Sequence, residues 1–179
     1  MKTSDAIFDI LKDYVDTVFF VPGGGAMHLI DSLGKSGLRH ISALHEQGAG
    51  FMALGYAQQR KGLGVCLVTS GPGATNALTP CAAAWMDSVG VLFISGQTKS
   101  TTLIGDTGLR VRGVQEVNII SMVKPITKRA YTILFANHVA GGDVRDDIRE
   151  LCQLCLSDRS GPCWIDIPLD VQAEVLEDE

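Results

Sequence analysis

Two short segments of the 179-residue sequence could do chemistry, residues 45–50 (HEQGAG) and residues 69–76 (TSGPGATN). Each follows a short apolar run, residues 41–44 and 65–68, and opens a segment with a helical pattern. In open α/β sheets, ligands bind at the carboxyl ends of the strands, which is where both segments fall. A lone glutamate, Glu46, among glycine and alanine therefore predicts a carboxylate that works on a ligand.

Helical and strand patterns alternate along most of the chain. This alternation predicts a single-domain α/β fold, a doubly wound parallel sheet with helices on both faces. The predicted helices cover residues 4–14, 26–33, 46–60, 74–86 and 137–156. The predicted strands cover residues 17–21, 40–44, 64–69, 89–95 and 163–167. The domain is predicted to span residues 1–172. Residues 173–179 contain four acids among seven and are predicted to form an acidic tail or linker.

Composition excludes several classes of function. The chain is 46% hydrophobic and 20% charged, which is ordinary for a globular core. Its net charge of -5 and the lack of a basic stripe argue against a nucleic-acid partner. No apolar run approaches the ~20 residues that span a bilayer, so we expect no membrane partner. The first residues lack the build of a signal peptide, which predicts a cytoplasmic protein.

The five cysteines predict core packing rather than a disulfide framework or a metal site. Cys152 and Cys155 form a C-x-x-C pair on the apolar face of the predicted helix 137–156, near its C-terminal end. Reactive pairs usually lie at a helix N-terminus. A zinc site would need a second pair, and only Cys163 is near in sequence.

The glycine-rich turns at residues 22–25 and 71–73 do not match known phosphate-binding motifs. Neither G-x-G-x-x-G nor G-x-x-x-x-G-K-[ST] occurs at them, and Pro72 lacks the N–H that a phosphate cradle would use. His28, His45 and His138 show no metal-ligand spacing. We therefore expect the turns to hold a flat, neutral group against the backbone.

The order of seven motifs resembles the pyrimidine-binding (N-terminal) domain of thiamine-diphosphate enzymes, and most of all the acetohydroxyacid (acetolactate) synthase group. The motifs are residues 22–26 (PGGGA), 45–49 (HEQGA), 69–76, 87–89 (DSV), 95–97 (SGQ), 115–117 (QEV) and 165–170 (IDIPLD). They cover essentially the whole chain. The resemblance implies a flavodoxin-like fold and thiamine diphosphate as the cofactor. It also implies a transferase or lyase of branched-chain amino acid biosynthesis that decarboxylates pyruvate, a small 2-oxo acid, and ligates the product to an acceptor.

The resemblance also implies roles for individual residues. Glu46 matches the activating glutamate, whose carboxyl hydrogen-bonds N1′ of the cofactor, and Gly48, Ala49 and Phe51 predict apolar surroundings for it. Gln97 matches a second catalytic residue, a glutamine near the reacting substrate. The implied cofactor-binding residues are Pro22, Gly23, Gly25, Glu46, Thr69, Pro72, Gly73 and Asn76, and no metal ligand is implied.

The sequence departs from the family pattern in two ways. In the synthases a separate domain holds the diphosphate through Mg²⁺ with a G-D-G…N stretch, whereas this chain has Gly142-Asp143 without that motif. The isolated chain is therefore expected to be inactive until a diphosphate-binding domain or subunit completes it, with FAD relevant only to a full-length synthase. The loop over residues 96–113 is also longer than in the synthases, and Val114 stands where they carry Phe.

Three alternatives stay open. The chain could belong to a synthase, could be the pyrimidine-binding subunit of a two-chain 2-oxo acid decarboxylase, or could be a non-catalytic regulatory module. The presence of Glu46, Asn76 and Gln97 together favours a catalytic role. Three glycines in the predicted helix 46–60 indicate close packing, either on the chain's own sheet or in a homo- or hetero-oligomer.

Overall fold

The computed structural model describes residues 1–134 and 144–176 and contains one six-stranded sheet in that part of the chain. The strands are β1 (Thr17–Phe20), β2 (Arg39–Ser42), β3 (Gly64–Val68), β4 (Val91–Gln97), β5 (Arg129–Thr132) and β6 (Cys163–Pro168). The sheet order is β2-β1-β3-β4-β6-β5, and every neighbouring pair is parallel. The predicted doubly wound α/β fold is confirmed.

Helices cover both faces of the sheet. They are α1 (Thr3–Leu11), α2 (Met27–Lys35), α3 (Glu46–Arg60), α4 (Pro72–Asn76), α5 (Leu78–Met86), α6 (Ile119–Val123), α7 (Val144–Leu156) and α8 (Leu169–Ala173). Alternate residues of a strand point to opposite faces. Val65 and Leu67 of β3 accordingly pack with α1, α2, α7 and α8, whereas Cys66 and Val68 pack with α3 and α5. No helix within residues 1–134 and 144–176 has the length and apolar character to cross a membrane.

The structure differs from the predicted elements mainly where the sequence is polar or short. The predicted helix 74–86 is two helices, α4 and α5, separated at Ala77. Strand β5 was not predicted because its four residues (RAYT) are exposed or only half-buried and carry no apolar run. Helix α7 ends at Leu156 as predicted, but the predicted start at residue 137 lies outside the described residues.

The first part of the predicted acidic tail packs against the domain instead of extending into solvent. Ala173 ends α8, Val175 pairs with Lys2 in an antiparallel bridge, and Leu176 is only 2% exposed. The Leu176 N–H donates to the Met1 carbonyl oxygen at 2.9 Å. The two ends of the described chain therefore hold each other, and residues 177–179 lie outside the description.

All five cysteines are buried, free thiols. Cys152 and Cys155 lie on the inner face of α7 with no exposed surface. Burial raises the pKa of Cys152 to about 12, because the thiolate would lose its hydration. The expectation of core packing for the C-x-x-C pair is confirmed.

We expect the native thiols to react slowly with the disulfide reagent DTNB, because all five are buried and the reagent must reach the thiolate to react. Absorbance at 412 nm should report little labelling in buffer and five thiols per chain in guanidinium chloride. Rapid stoichiometric labelling of one thiol in the native protein would contradict the packing described for α7 and β6.

Candidate functional site

Three turns meet at one edge of the sheet, where β1, β3 and β4 end side by side. The chain leaves β1 to form β2 on one side and returns to form β3 on the other. The gap between β1 and β3 is thus the point where the strand order reverses, which is the usual ligand position in such sheets. The turns are residues 21–26 after β1, residues 69–71 after β3 and residues 98–99 after β4.

The turn after β1 is pressed against the turn after β3. A Cβ atom on Gly23 would collide with the Thr69 side chain, and one on Gly25 would lie 2.5 Å from Ser70 Oγ. The Gly25 N–H donates to Thr69 Oγ1 at 3.1 Å. Gly23, Gly25 and Thr69, three of the predicted cofactor-binding residues, therefore form one contact group.

Glu46 is the first residue of α3, and its carboxylate is held by the end of α4. His45 caps α3, since its Nδ1 accepts the Gln47 N–H at 3.1 Å. Asn76 Nδ2 donates to Glu46 Oε2 at 2.9 Å. A Cβ on Gly73 would lie 3.3 Å from Glu46 Oε1 and 2.6 Å from Thr69 Cγ2. Among the described residues, Oε1 accepts no hydrogen bond, so one carboxylate oxygen remains available to a ligand.

The surroundings of Glu46 are less apolar than the sequence predicted. Glu46 is half-buried, and the Phe51 side chain is 43% exposed on the outer face of α3. Phe51 lies five residues after Glu46, so the two side chains are on different faces of α3. Within the described chain, water still reaches the carboxylate.

The Gly71-Pro72-Gly73 turn has a conformation that requires glycine. Gly71 has a φ of +56°, and a Cβ there would collide with the Gln115 carbonyl oxygen. Pro72 occupies the first turn of α4, where its missing N–H costs nothing. Pro22 and Pro72 are both exposed at this edge. The turn thus ties the site to the long loop that contains Gln115.

Gln97 ends β4 and belongs to a buried polar network instead of pointing freely at the other site residues. Its Nε2 donates to Asp166 Oδ2 at 2.9 Å and to the Val117 carbonyl oxygen at 3.1 Å. Ser95 Oγ donates to Asp166 Oδ1 at 2.6 Å, and Trp164 Nε1 donates to Ser95 Oγ at 2.9 Å. Gln97 also lines a cavity of about 360 Å³ with Gly25.

Burial raises the pKa of Asp166 from 3.8 to about 7, because the carboxylate is 2% exposed and loses its hydration. Hydrogen bonds from Ser95, Gln97 and Thr132 oppose this shift in the pKa, and the nearby Glu116 carboxylate adds to it.

Sequence analysis missed three side chains that shape the site. Asp166 and Glu116 were noted only as parts of motifs. Gln172 of α8 donates through Nε2 to the Gly25 carbonyl oxygen at 2.7 Å. The Glu116 carboxylate accepts the backbone N–H groups of Ile104, Arg112 and Gly113, which closes the long loop. The one available signal was a lone acid, Asp166, within the otherwise apolar strand β6.

In residues 1–134 and 144–176, no group of three or more His, Cys, Asp or Glu side chains is arranged to hold a metal ion.

Comparison with known proteins agrees with this geometry. Residues 1–122 match the family described as "Thiamine pyrophosphate enzyme, N-terminal TPP binding domain". The acetolactate synthase large subunit of Corynebacterium glutamicum is 40% identical over 179 residues, covering 99% of the chain and 27% of the relative. The isozyme 1 large subunit of Escherichia coli is 40% identical over 160 residues, 89% of the chain and 26% of the relative. The acetolactate synthase large subunit of Lactococcus lactis is 38% identical over 177 residues, which cover 97% of the chain and 29% of the relative.

The chain therefore belongs to the thiamine-pyrophosphate-binding N-terminal domain family of thiamine-pyrophosphate enzymes. The relatives named above are acetolactate synthase large subunits, and the chain spans between 26% and 29% of their lengths. The resemblance inferred from the seven motifs is confirmed.

Gly71→Ala should destabilise the protein by about 1–3 kcal/mol, because alanine is strained at a positive φ and its Cβ meets backbone. Gly34→Ala is the matched control, since nothing lies within 4 Å of that Cβ and Gly34 sits in α2. The control should stabilise by about 0.5–1 kcal/mol. Urea unfolding measures both, and equal effects of the two substitutions would refute the close approach of Gly71 to Gln115.

Asp166→Asn should change how stability depends on pH. Because folding raises the pKa of Asp166 to about 7, its contribution to stability is full below pH 4 and is lost as the pH rises to about 7. The variant cannot ionise at this position. The difference in free energy of unfolding, variant minus wild type, should therefore rise by up to about 4 kcal/mol between pH 4 and pH 8. Parallel pH curves from urea melts would contradict the burial of this carboxylate.

Proposed function

We propose that the chain is the pyrimidine-binding part of a thiamine-diphosphate-dependent enzyme that acts on 2-oxo acids, a transferase or lyase like acetolactate synthase. Such an enzyme decarboxylates pyruvate and ligates the remaining two-carbon unit to an acceptor. The observation that carries the proposal is the Glu46 carboxylate, held by Asn76 and packed beside Gly73, where a side chain would meet Thr69 and Glu46 Oε1.

The residues at this edge fit one flat heteroaromatic ring. Glu46 Oε1 accepts no hydrogen bond among the described residues, and the Gly23, Gly25 and Gly73 positions bring backbone close to the turn after β3. Backbone and a single carboxyl suit a ring with few charges better than a phosphate. Pro22, Gly23, Gly25, Thr69, Pro72, Gly73 and Asn76 are proposed to form the wall of this ring site.

The chemical role of Glu46 is to hold or share a proton with a ring nitrogen. When bound, thiamine diphosphate supplies a carbon nucleophile and an electron sink for 2-oxo acids. Asn76 fixes Oε2, so the proton-sharing oxygen of Glu46 is Oε1. Gln97 is proposed to face the substrate, since it lines the cavity next to Gly25.

Binding of the diphosphate end is proposed to need a further domain or subunit. Mg²⁺ is proposed to hold that end with oxygen ligands supplied there, and FAD belongs to the proposal only for a full-length synthase. We expect the 179-residue chain alone to fold without making acetolactate or aldehyde from pyruvate. Product analysis of the complete protein separates a synthase, which forms acetolactate, from a decarboxylase, which releases aldehyde.

In the complete enzyme, Glu46→Gln should slow exchange of the cofactor's C2 proton by about 10²–10⁴-fold, because glutamine cannot accept or donate the shared proton. The measurement is NMR of bound thiamine diphosphate after mixing with deuterated water. Glu150→Gln is the matched control, an exposed glutamate on α7 that pairs with Arg129. Exchange in Glu46→Gln within about threefold of wild type would remove Glu46 from its proposed role.

The outer face of α3 is the proposed oligomer contact. This face comprises Gly48, Phe51, Met52 and Gly55, in which Phe51 is 43% and Met52 45% exposed. Gly50 packs on Pro80 within the chain, whereas nothing lies within 4 Å of a Cβ on Gly48 or Gly55. Packing within the chain, mainly on α5, therefore accounts for one helix glycine, and the other two leave room for close approach by another chain or domain.

Met52→Glu should weaken association of the complete protein, because it places a charge in an apolar contact. Light scattering after size-exclusion chromatography at tens of micromolar measures the change in mass. Met86→Glu is the control, a methionine 69% exposed at the end of α5. An oligomer that tolerates Met52→Glu as well as Met86→Glu would show that α3 is not the contact.

A further inference from the structure

The orientation of the Gln97 carboxamide is fixed by three partners. The Val117 carbonyl oxygen can only accept a hydrogen bond, and so can Asp166 Oδ2 when its carboxylate is ionised. Both must therefore face the Gln97 NH₂ group. The Thr98 N–H only donates, and it reaches Gln97 Oε1 at 3.0 Å. A flipped amide would place like groups against each other at all three contacts.

Gln97 separates two cavities, and its partners show which end faces each. Thr98, which meets Oε1, lines the cavity of about 360 Å³ that also contains Gly25 and Ser70. Asp166 and Val117, which meet Nε2, line a second cavity of about 230 Å³. The neighbour of the Gln97 carbonyl oxygen thus lines the first cavity, and the neighbours of its amide nitrogen line the second.

We propose that Asp166 is a positioning residue that turns the Gln97 carboxamide so that Oε1 faces the substrate cavity as a hydrogen-bond acceptor. The inference rests on the proposed function for the identity of that cavity. It assigns a ligand chemistry to Gln97, because an acceptor oxygen with one remaining lone pair recognises an O–H or N–H group, such as the hydroxyl that the keto oxygen of a 2-oxo acid becomes during the reaction.

The burial of Asp166 supports this role. An ionisable group with 2% exposure is costly to bury, and an apolar residue would suit the strand β6 better if packing were its purpose. Its neighbours from the packed elements are Ser95 and Gln97 of β4 and Thr132 of β5, which are neutral, and Glu116 of the long loop, which is acidic. Within the described part of the chain, the side chains that hydrogen-bond Asp166 are all uncharged, and Ser95 and Gln97 are the nearest of them.

A double-mutant cycle tests whether Asp166 acts through Gln97. In the complete protein with thiamine diphosphate and Mg²⁺, Gln97→Ala and Asp166→Ala should each lower kcat/KM for pyruvate by about tenfold, the loss of roughly one charge-assisted hydrogen bond. In the Gln97→Ala background, Asp166→Ala should lower it by less than about twofold. Cys163→Ala, also buried on β6, is the control and should have the same effect in both backgrounds. Additive effects of Gln97→Ala and Asp166→Ala would overturn the proposal.

A second readout does not depend on turnover. The side-chain NH₂ resonances of Gln97, assigned from Gln97→Ala, should shift between pH 5.5 and 8.5 in wild type and stay constant in Asp166→Asn. Asparagine can still accept from Gln97 if its own NH₂ faces Ser95 Oγ, so Asp166→Asn should keep kcat/KM within about threefold of wild type at pH 7.5. Gln97 NH₂ resonances at the same positions in wild type and Asp166→Ala at pH 8.5 would overturn the proposal.

The two proposals fail in different ways. If wild type shows no C2 proton exchange on added thiamine diphosphate, the proposed function is wrong, and the Gln97 resonances still decide the orientation. If C2 proton exchange is normal in Asp166→Ala while the effects of Gln97→Ala and Asp166→Ala on kcat/KM add, the proposed function stands and the positioning role of Asp166 is wrong.

Discussion

The site depends on direct contact between the turn after β1 and strand β4. A Cβ on Gly96 would collide with the Gly25 carbonyl oxygen, so the backbone of the turn lies on the backbone of the strand. Gln172 holds that same carbonyl at 2.7 Å, and Thr69 holds the Gly25 N–H. Because hydrogen bonds hold both the N–H and the carbonyl group of Gly25, the turn after β1 is fixed relative to the turn after β3 and to Gln97.

Two carboxylates lie at this edge of the sheet and differ in burial and in hydrogen bonding. Glu46 is half-buried at the start of α3, with one oxygen held by Asn76 and the other available. Asp166 is buried at the far side of Gln97, with hydrogen bonds to both of its oxygens. An exposed, half-satisfied acid suits exchange of a proton with a ligand, whereas a buried, satisfied acid suits the fixing of a neighbour. The roles proposed for Glu46 and Asp166 rest on this difference in exposure and hydrogen bonding.

Sequence reasoning located the elements that carry clear patterns. The apolar runs at residues 41–44 and 65–68 and the residue types that follow them were sufficient to place Glu46, Thr69 and Gly73 at one edge of the sheet. Strand β5 and helix α6 were missed because short, partly polar segments have no periodicity to read.

The positioning contacts were beyond the sequence for a different reason. Gln97 and Asp166 are 69 residues apart, and Gln172 and Gly25 are 147 residues apart. No spacing rule links residues across such separations, because the register of parallel strands and the docking of α8 decide which of them meet.

Direct mapping of cofactor binding tests the central claim, that the glycine turns and Glu46 form the ring site. The measurement is a transverse-relaxation-optimised ¹H–¹⁵N spectrum of the complete protein, labelled with ¹⁵N-glycine and titrated with thiamine diphosphate and Mg²⁺. We expect the amides of Gly23, Gly25 and Gly73 to shift in proportion to saturation, while those of Gly34 and Gly161, which lie away from this edge, stay in place. Binding that leaves Gly25 and Gly73 unmoved would contradict the claim.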